Sequence, residues 1–176
     1  KDLKAEGKVR CAGLSSHGSQ WGDVPEAMEK VHLAAAEDGR FDVALLVYNF
    51  IQRDMGENIL KAYKKKNVGA TLMKTNPVLN YVERKVEIDK AEEEGRDIPP
   101  RLRALVERLK ARADQAESFK NKYNLTNFDE IRDAAIKFVL NNPDVNSVCP
   151  TILNYSDLDA YVSLSGSKFD LKAQNT

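Results

Sequence analysis

The chain has 176 residues, 42% of them hydrophobic, which is enough to bury one substantial core in a single domain. Its 27 lysines and arginines balance its 27 aspartates and glutamates, so no overall basic field favours a nucleic-acid partner. Two distant cysteines argue against a disulfide framework, a zinc cluster or an iron–sulfur centre, and the longest apolar run is far too short to cross a membrane.

The start of the chain and its cysteines indicate a reducing compartment. Lys1–Lys8 is charged and lacks the apolar stretch of a signal peptide, which points to the cytoplasm. Cys11 and Cys149 each lie in a β-like run, so we expect two reduced and partly buried thiols.

The first predicted unit is a strand followed by a helix. Val9–Leu14 is short and β-compatible, and it runs into the small polar stretch Ser15–Gln20, as a strand does when it ends in a loop. Asp23–Glu26 then supplies an N-cap, a proline for the first turn and a capping-box glutamate. Gly39 marks the end of this helix.

Two further strands follow at similar spacing. Phe41–Val47 is almost continuously apolar, which is typical of a parallel strand covered on both faces. Glu57–Lys66 predicts a helix, and its terminal lysines favour the helix C-terminus rather than a nucleic-acid site. Val68–Met73 is the third strand, which Pro77 prevents from continuing.

A long insertion then interrupts the alternation of strands and helices. Between Val78 and Asn127 lie two charged helical stretches, separated by Gly95 and the Pro99–Pro100 pair. The insertion directly follows a strand, on the side of a β/α sheet that binds ligands and carries lids. It is either a packing embellishment or a lid that covers a cofactor.

The last predicted unit restores the alternation. Thr126–Asp129 offers a capped helix start, and Asn141–Pro143 ends that helix. Val145–Cys149 is a fourth short strand, and Ser156–Asp159 caps a final helix that runs through Leu164.

Strands that alternate with helices in this way predict an α/β fold of the β/α-barrel type. Right-handed crossovers would place the four strands parallel and adjacent in chain order, with helices on one face. Eight strands close such a barrel, so four are half of it. We therefore expect one partial β/α-barrel domain over residues 1–176, with the helical insertion at residues 78–127.

Four sequence blocks resemble the second half of the aldo/keto reductases, the NAD(P)H-dependent β/α-barrel oxidoreductases. Gly7–His17, Phe41–Phe50 and Asn67–Lys74 resemble the fifth, sixth and seventh strand regions of that family. The third of these has the Met-Lys form seen in the branch that includes iron–sulfur-associated members. Ala134–Pro150 resembles the last helix and the eighth strand, and all four blocks occur in the family's order and spacing.

This resemblance implies hydride transfer between NADP or NAD and a small carbonyl substrate. In the family, a tyrosine donates the proton, and lysine, aspartate and histidine tune it. These residues belong to the first half of the barrel, so we assign no catalytic residue and no metal ligand to this chain. Ser15 and Ser16 match the pair that hydrogen-bonds the nicotinamide carboxamide, and they are the predicted cofactor-binding residues.

Four positions, Leu45, Met73, Thr151 and Leu153, depart from the family pattern and weaken the case for tight NADP binding.

The expected partners of the chain are the N-terminal half of the barrel or a second copy, because an open sheet leaves unpaired edges. The alternative is a non-catalytic scaffold or protein-interaction module that keeps the barrel pattern without its chemistry.

Overall fold

The structure is a computed structural model that describes residues 2–17 and 25–166, with no side-chain description for residues 25–27. The described residues form four strands and eight helices. The strands are β1 (Gly13–Ser16), β2 (Val43–Val47), β3 (Gly69–Met73) and β4 (Ser147–Val148). The helices are α1 (Asp2–Ala5), α2 (Pro25–Asp38), α3 (Arg53–Lys65), α4 (Leu79–Glu93), α5 (Pro100–Asp114), α6 (Glu117–Tyr123), α7 (Phe128–Leu140) and α8 (Tyr155–Leu164).

The four strands form one parallel sheet in the order β1-β2-β3-β4, which confirms the predicted α/β class and strand order. Residues opposite one another in this register share a face of the sheet. Ala44, Leu46, Ala70 and Leu72 share one face and are buried. Side chains of α2, α3 and α7 complete this core, and they are Met28, Ala36, Ile59, Leu60, Tyr63 and Val139.

The sheet is shorter at its two edges than the sequence predicted. β1 begins at Gly13 rather than Val9, and β4 has only two residues. Cys11 and Cys149 lie just outside these edge strands and are exposed free thiols. The prediction that both thiols are partly buried is therefore wrong, because no further strand among the described residues covers either edge.

The starts of α7 and α8 both have side-chain caps, one at the predicted residue and one two residues earlier. Asn127 caps α7, since its Oδ1 accepts the Glu130 backbone N–H at 3.0 Å and the Glu130 carboxylate accepts the Asn127 N–H in return. The cap of α8 is Asn154 rather than Ser156, and its side chain accepts the Asp157 N–H at 2.9 Å. The predicted cap at Asp23 lies outside the described residues.

The insertion contains three helices, α4, α5 and α6, instead of the two predicted. Gly95 connects α4 to α5 with a φ of +63°, a conformation that glycine adopts at little cost. The α4–α5 hairpin has its own hydrophobic cluster, which shares no member with the sheet core. We call it the hairpin cluster, and its buried members are Ile88, Ala91, Ile98 and Val106.

A third cluster joins the insertion to the body of the protein. The buried Val78, Ala116 and Ile131 bring the start of α4, the start of α6 and α7 together.

Within the described ranges, no helix has both the length and the apolar character required to cross a membrane.

Candidate functional site

The sheet face opposite the helices is less completely covered, and we call it the open face. Val43 on this face is 37% exposed, whereas its neighbour Ala44 on the helix-covered face is 1% exposed. Register divides the open face into three rows of side chains. In order from the amino ends of the strands, they are Gly13, Val43 and Gly69; then Ser15, Leu45, Thr71 and Ser147; then Val47 and Met73.

The middle row carries three hydroxyl groups, and we call it the hydroxyl row. Thr71 Oγ1 and Ser147 Oγ are hydrogen-bonded at 2.8 Å, which links β3 to β4. Ser15 is exposed at the other end of the row, with the half-buried Leu45 between Ser15 and Thr71. Hydroxyls can both donate and accept hydrogen bonds, so this row can bind an amide but supplies no group that transfers a proton at neutral pH.

Strand geometry separates the two serines predicted to bind the cofactor. Successive residues of a strand point to opposite faces, so Ser15 lies on the open face and Ser16 on the helix-covered face. Ser16 is in register with Leu46, which is fully buried. A carboxamide on the open face would therefore meet the Ser15 hydroxyl and not that of Ser16. Cofactor binding by either serine stays a prediction.

The four departures from the family pattern lie in different surroundings. Leu45 is in the hydroxyl row, where it interrupts the line of polar groups, and Met73 is buried in the last row. Thr151 and Leu153 are both exposed in the segment that follows β4, and the Leu153 N–H donates to the Asp157 carboxylate at 3.0 Å.

The arginine that is linked to that segment through Asp157 already has ion-pair partners. Arg132 on α7 is 8% exposed and lies 2.8 Å from Asp129, 3.0 Å from Asp133 and 3.6 Å from Asp157. Three carboxylates around one guanidinium hold it in place and neutralise it. Arg132 therefore joins α7 to α8 and is not free to bind a phosphate.

Asn49 organises the loops at the carboxyl ends of β2 and β3. Its Oδ1 accepts the backbone N–H groups of Ile51 and Gln52, both at 3.0 Å, and its Nδ2 donates to the Lys74 carbonyl at 3.1 Å. The side chain is 1% exposed. This role was not predicted from the sequence. A polar residue inside a long apolar run was a signal for it, because a buried polar group needs hydrogen-bond partners.

Tyr48 points away from the open face and belongs to the core. Its hydroxyl accepts a hydrogen bond from Asn142 Nδ2 at 3.2 Å, and its ring lies against α3 at Gly56. Burial raises the pKa of the Tyr48 hydroxyl. The structure thus gives this tyrosine a packing role on the helix side of the sheet.

His32 lies behind the carboxyl end of β1, on the helix side. It is fully buried on α2, with its Nδ1 2.6 Å from the Tyr63 hydroxyl of α3. Burial lowers the pKa of His32, and a hydrogen bond with the Ser16 backbone offsets part of this effect. By contrast, His17 is exposed.

This burial predicts that the protein becomes less stable as the pH falls below about 6.5. The unfolded chain takes up a proton near the ordinary histidine pKa of 6.5, and the folded protein resists protonation. The unfolded state then binds more protons, so the stabilisation is complete above pH 6.5 and is lost as the pH falls toward the folded-state pKa. Urea midpoints at pH 5 to 7 measure the effect. The His32→Gln variant should show a flatter dependence over that range, and an equal slope in both proteins would contradict the prediction.

The described residues contain no group of three or more His, Cys, Asp or Glu side chains that could hold a metal ion.

Searches of curated proteins and of solved structures gave no significant match. The sequence model described as "Aldo/keto reductase family" matches residues 1–175, which is nearly the whole chain. With its parallel sheet and alternating helices, the chain therefore belongs to the aldo/keto reductase family.

Proposed function

We propose that this chain is the C-terminal half of an NAD(P)H-dependent carbonyl reductase of the β/α-barrel type, acting in the cytoplasm. In this proposal it provides strands five to eight and part of the nicotinamide site. The proton donor and the groups that tune it come from an N-terminal half, in the same polypeptide or in another chain. The observation that carries the proposal is the hydroxyl row on the open face of a four-stranded parallel sheet in chain order.

The hydroxyl row offers hydrogen-bonding groups to a nicotinamide carboxamide on both sides of Leu45. Ser15 is exposed and can donate to a carbonyl oxygen or accept from an amide nitrogen. Thr71 and Ser147 satisfy one another and keep further acceptor capacity. When bound, the nicotinamide would supply the hydride for the carbonyl carbon. The chain's own part is to orient the ring and to exclude water from one side, through Leu45 and Met73.

Two surfaces support an N-terminal half as the partner. β4 is an edge strand with no neighbour on its outer side within the described residues, and unpaired edges are ready to accept another strand. The adjoining α8 exposes three apolar side chains, at positions three and four residues apart, on one helix face. They are Tyr155 at 86% exposed, Leu158 at 39% and Val162 at 63%.

The alternative is a non-catalytic scaffold or protein-interaction module, and one observation favours it. Leu45 divides the hydroxyl row, and it replaces the glutamine that often binds the carboxamide in the family. A row interrupted in this way binds an amide with fewer hydrogen bonds.

The test is cofactor binding and turnover, first with the chain alone and then with a co-expressed N-terminal half. NADPH fluorescence titration should show weak binding at most for the chain alone. Aldehyde-dependent NADPH oxidation should be undetectable, because general acid–base catalysis alone contributes about 10²- to 10⁴-fold. The complemented protein should bind NADPH and turn over.

A pair of serine variants tests the position of the site in the complemented protein. Ser15→Ala should raise the KM for NADPH several-fold, whereas Ser16→Ala should leave it nearly unchanged, because the two hydroxyls lie on opposite faces of β1. Robust turnover by the chain alone would contradict the assignment to the second half. A complemented protein that neither binds nor oxidises NADPH would favour the scaffold.

A further inference from the structure

The α4–α5 hairpin forms a groove whose lining shares no residue with the hydroxyl row. The groove is a surface cavity of about 760 Å³ between the two helices. Leu102 and Leu105, both half-buried, form its apolar floor. Its charged lining consists of Arg84, Glu87, Arg101 and Arg108.

The charge of this groove is unbalanced. Arg84 is paired with Glu87 at 2.7 Å, which leaves two guanidinium groups in the lining. Arg101 and Arg108 are both exposed, and neither has an ion-pair partner in the described part of the chain.

Two other arginines of the same hairpin do have ion-pair partners. Arg96 is paired with Glu94, and Arg103 is paired with Glu92 at 3.1 Å. Acidic residues are therefore available on the hairpin, but they do not neutralise the groove. A half-buried apolar floor beside unpaired cations matches a ligand that is both acidic and apolar.

The spacing of the two unpaired arginines limits the kind of ligand. Seven residues are two turns of helix, so Arg101 and Arg108 lie on the same face of α5, about 10 Å apart along its axis. Two separate carboxylates at a matching spacing can pair with both arginines while each side chain stays extended. Leu105 lies between them on the same face.

We infer that this groove docks an acidic amphipathic helix of a partner protein. The helix would carry carboxylates at positions i and i+7, facing Arg101 and Arg108, and leucine-like residues at i+3 and i+4, facing Leu102 and Leu105. Arginine suits this contact because its planar guanidinium can bind a carboxylate through two parallel hydrogen bonds. A third helix against a two-helix hairpin also follows the usual packing of helices ridge into groove.

The test uses a fluorescein-labelled helical peptide with glutamate at i and i+7 and leucine at i+3 and i+4. Fluorescence anisotropy should show saturable binding to the full chain. The double variant Arg101→Glu/Arg108→Glu should weaken binding by about tenfold or more, since it replaces two attractive pairs with repulsive ones. The matched control is Arg96→Glu/Arg103→Glu, which makes the same change in net charge outside the groove. Circular dichroism confirms that both variants keep their helices.

The outcomes separate specific docking from general electrostatic attraction. A peptide of the same composition with its two glutamates four residues apart should bind more weakly than the first peptide. Equal weakening by both double variants would overturn the inference, because attraction would then follow net charge alone. Failure of the first peptide to bind, with inorganic pyrophosphate binding that depends on Arg101 and Arg108, would also overturn it in favour of a small-anion site.

Discussion

Replacement of Gly56 by alanine is expected to lower the free energy of unfolding by about 2 kcal/mol or more. The new Cβ would lie 2.2 Å from Cδ2 of the Tyr48 ring, far inside any permitted contact. Overpacking of a core costs up to about 3 kcal/mol and occasionally more, and a contact this short belongs at the upper end of that range. Alanine regains about 1 kcal/mol through its higher helix propensity, which leaves the net loss stated above. For a chain of this size, the melting temperature should fall by roughly 4 to 8 °C.

The Tyr48 ring cannot easily move away from that contact. It is 1% exposed, its hydroxyl is bonded to Asn142, and its centroid lies 5.6 Å from that of Phe138. The Gly56→Ala change should therefore cost much less in a Tyr48→Leu background, which removes the ring. Lys61→Ala, an exposed change on the same helix, is the control and should be nearly neutral. Equal destabilisation by Gly56→Ala in both backgrounds would show that the ring is not the cause.

Replacement of Asn49 by alanine is expected to cost about 3 kcal/mol. The change removes the two backbone hydrogen bonds that Asn49 accepts and the one that it donates to Lys74. A buried polar group left without a partner costs about 1 to 3 kcal/mol, and more than one group is affected here. The urea midpoint measures the loss, and the slope of the transition should stay unchanged if the unfolded state is unaffected.

The control for Asn49 is another asparagine with a single exposed contact. Asn58 donates only to the Glu29 carboxylate, at 3.1 Å on the surface, so Asn58→Ala should cost a few tenths of a kcal/mol. Comparable losses for the two alanine variants would mean that the link between the ends of β2 and β3 contributes little to stability.

The features that sequence predicted well are those determined locally. The capping box of Asn127 and Glu130 uses residues three apart, so composition and spacing alone identify it. The apolar run of β2 predicts a buried parallel strand for the same reason. The order of the strands follows from the rule that sequential parallel strands joined by right-handed crossovers are usually neighbours.

The features that sequence missed depend on contacts between distant residues. The bond between His32 and Tyr63 joins residues 31 positions apart, and Asn49 reaches a carbonyl 25 positions away. The face that each of Ser15 and Ser16 occupies required the true extent and register of β1, because a shift of one residue exchanges the two faces. Exposure of Cys11 and Cys149 likewise depended on where the sheet ends.

The hairpin cluster also has a consequence for local unfolding. Because its buried residues are not part of the sheet core, α4 and α5 can separate over most of their length by giving up the contacts of the hairpin cluster while the sheet core stays packed. Such a partial opening costs less free energy than global unfolding, so we expect the amides of α5 to exchange with solvent faster than those of β2 and β3. We therefore expect the hairpin to unfold as a separate cooperative unit, whose ordering can respond to what binds it while the sheet stays closed.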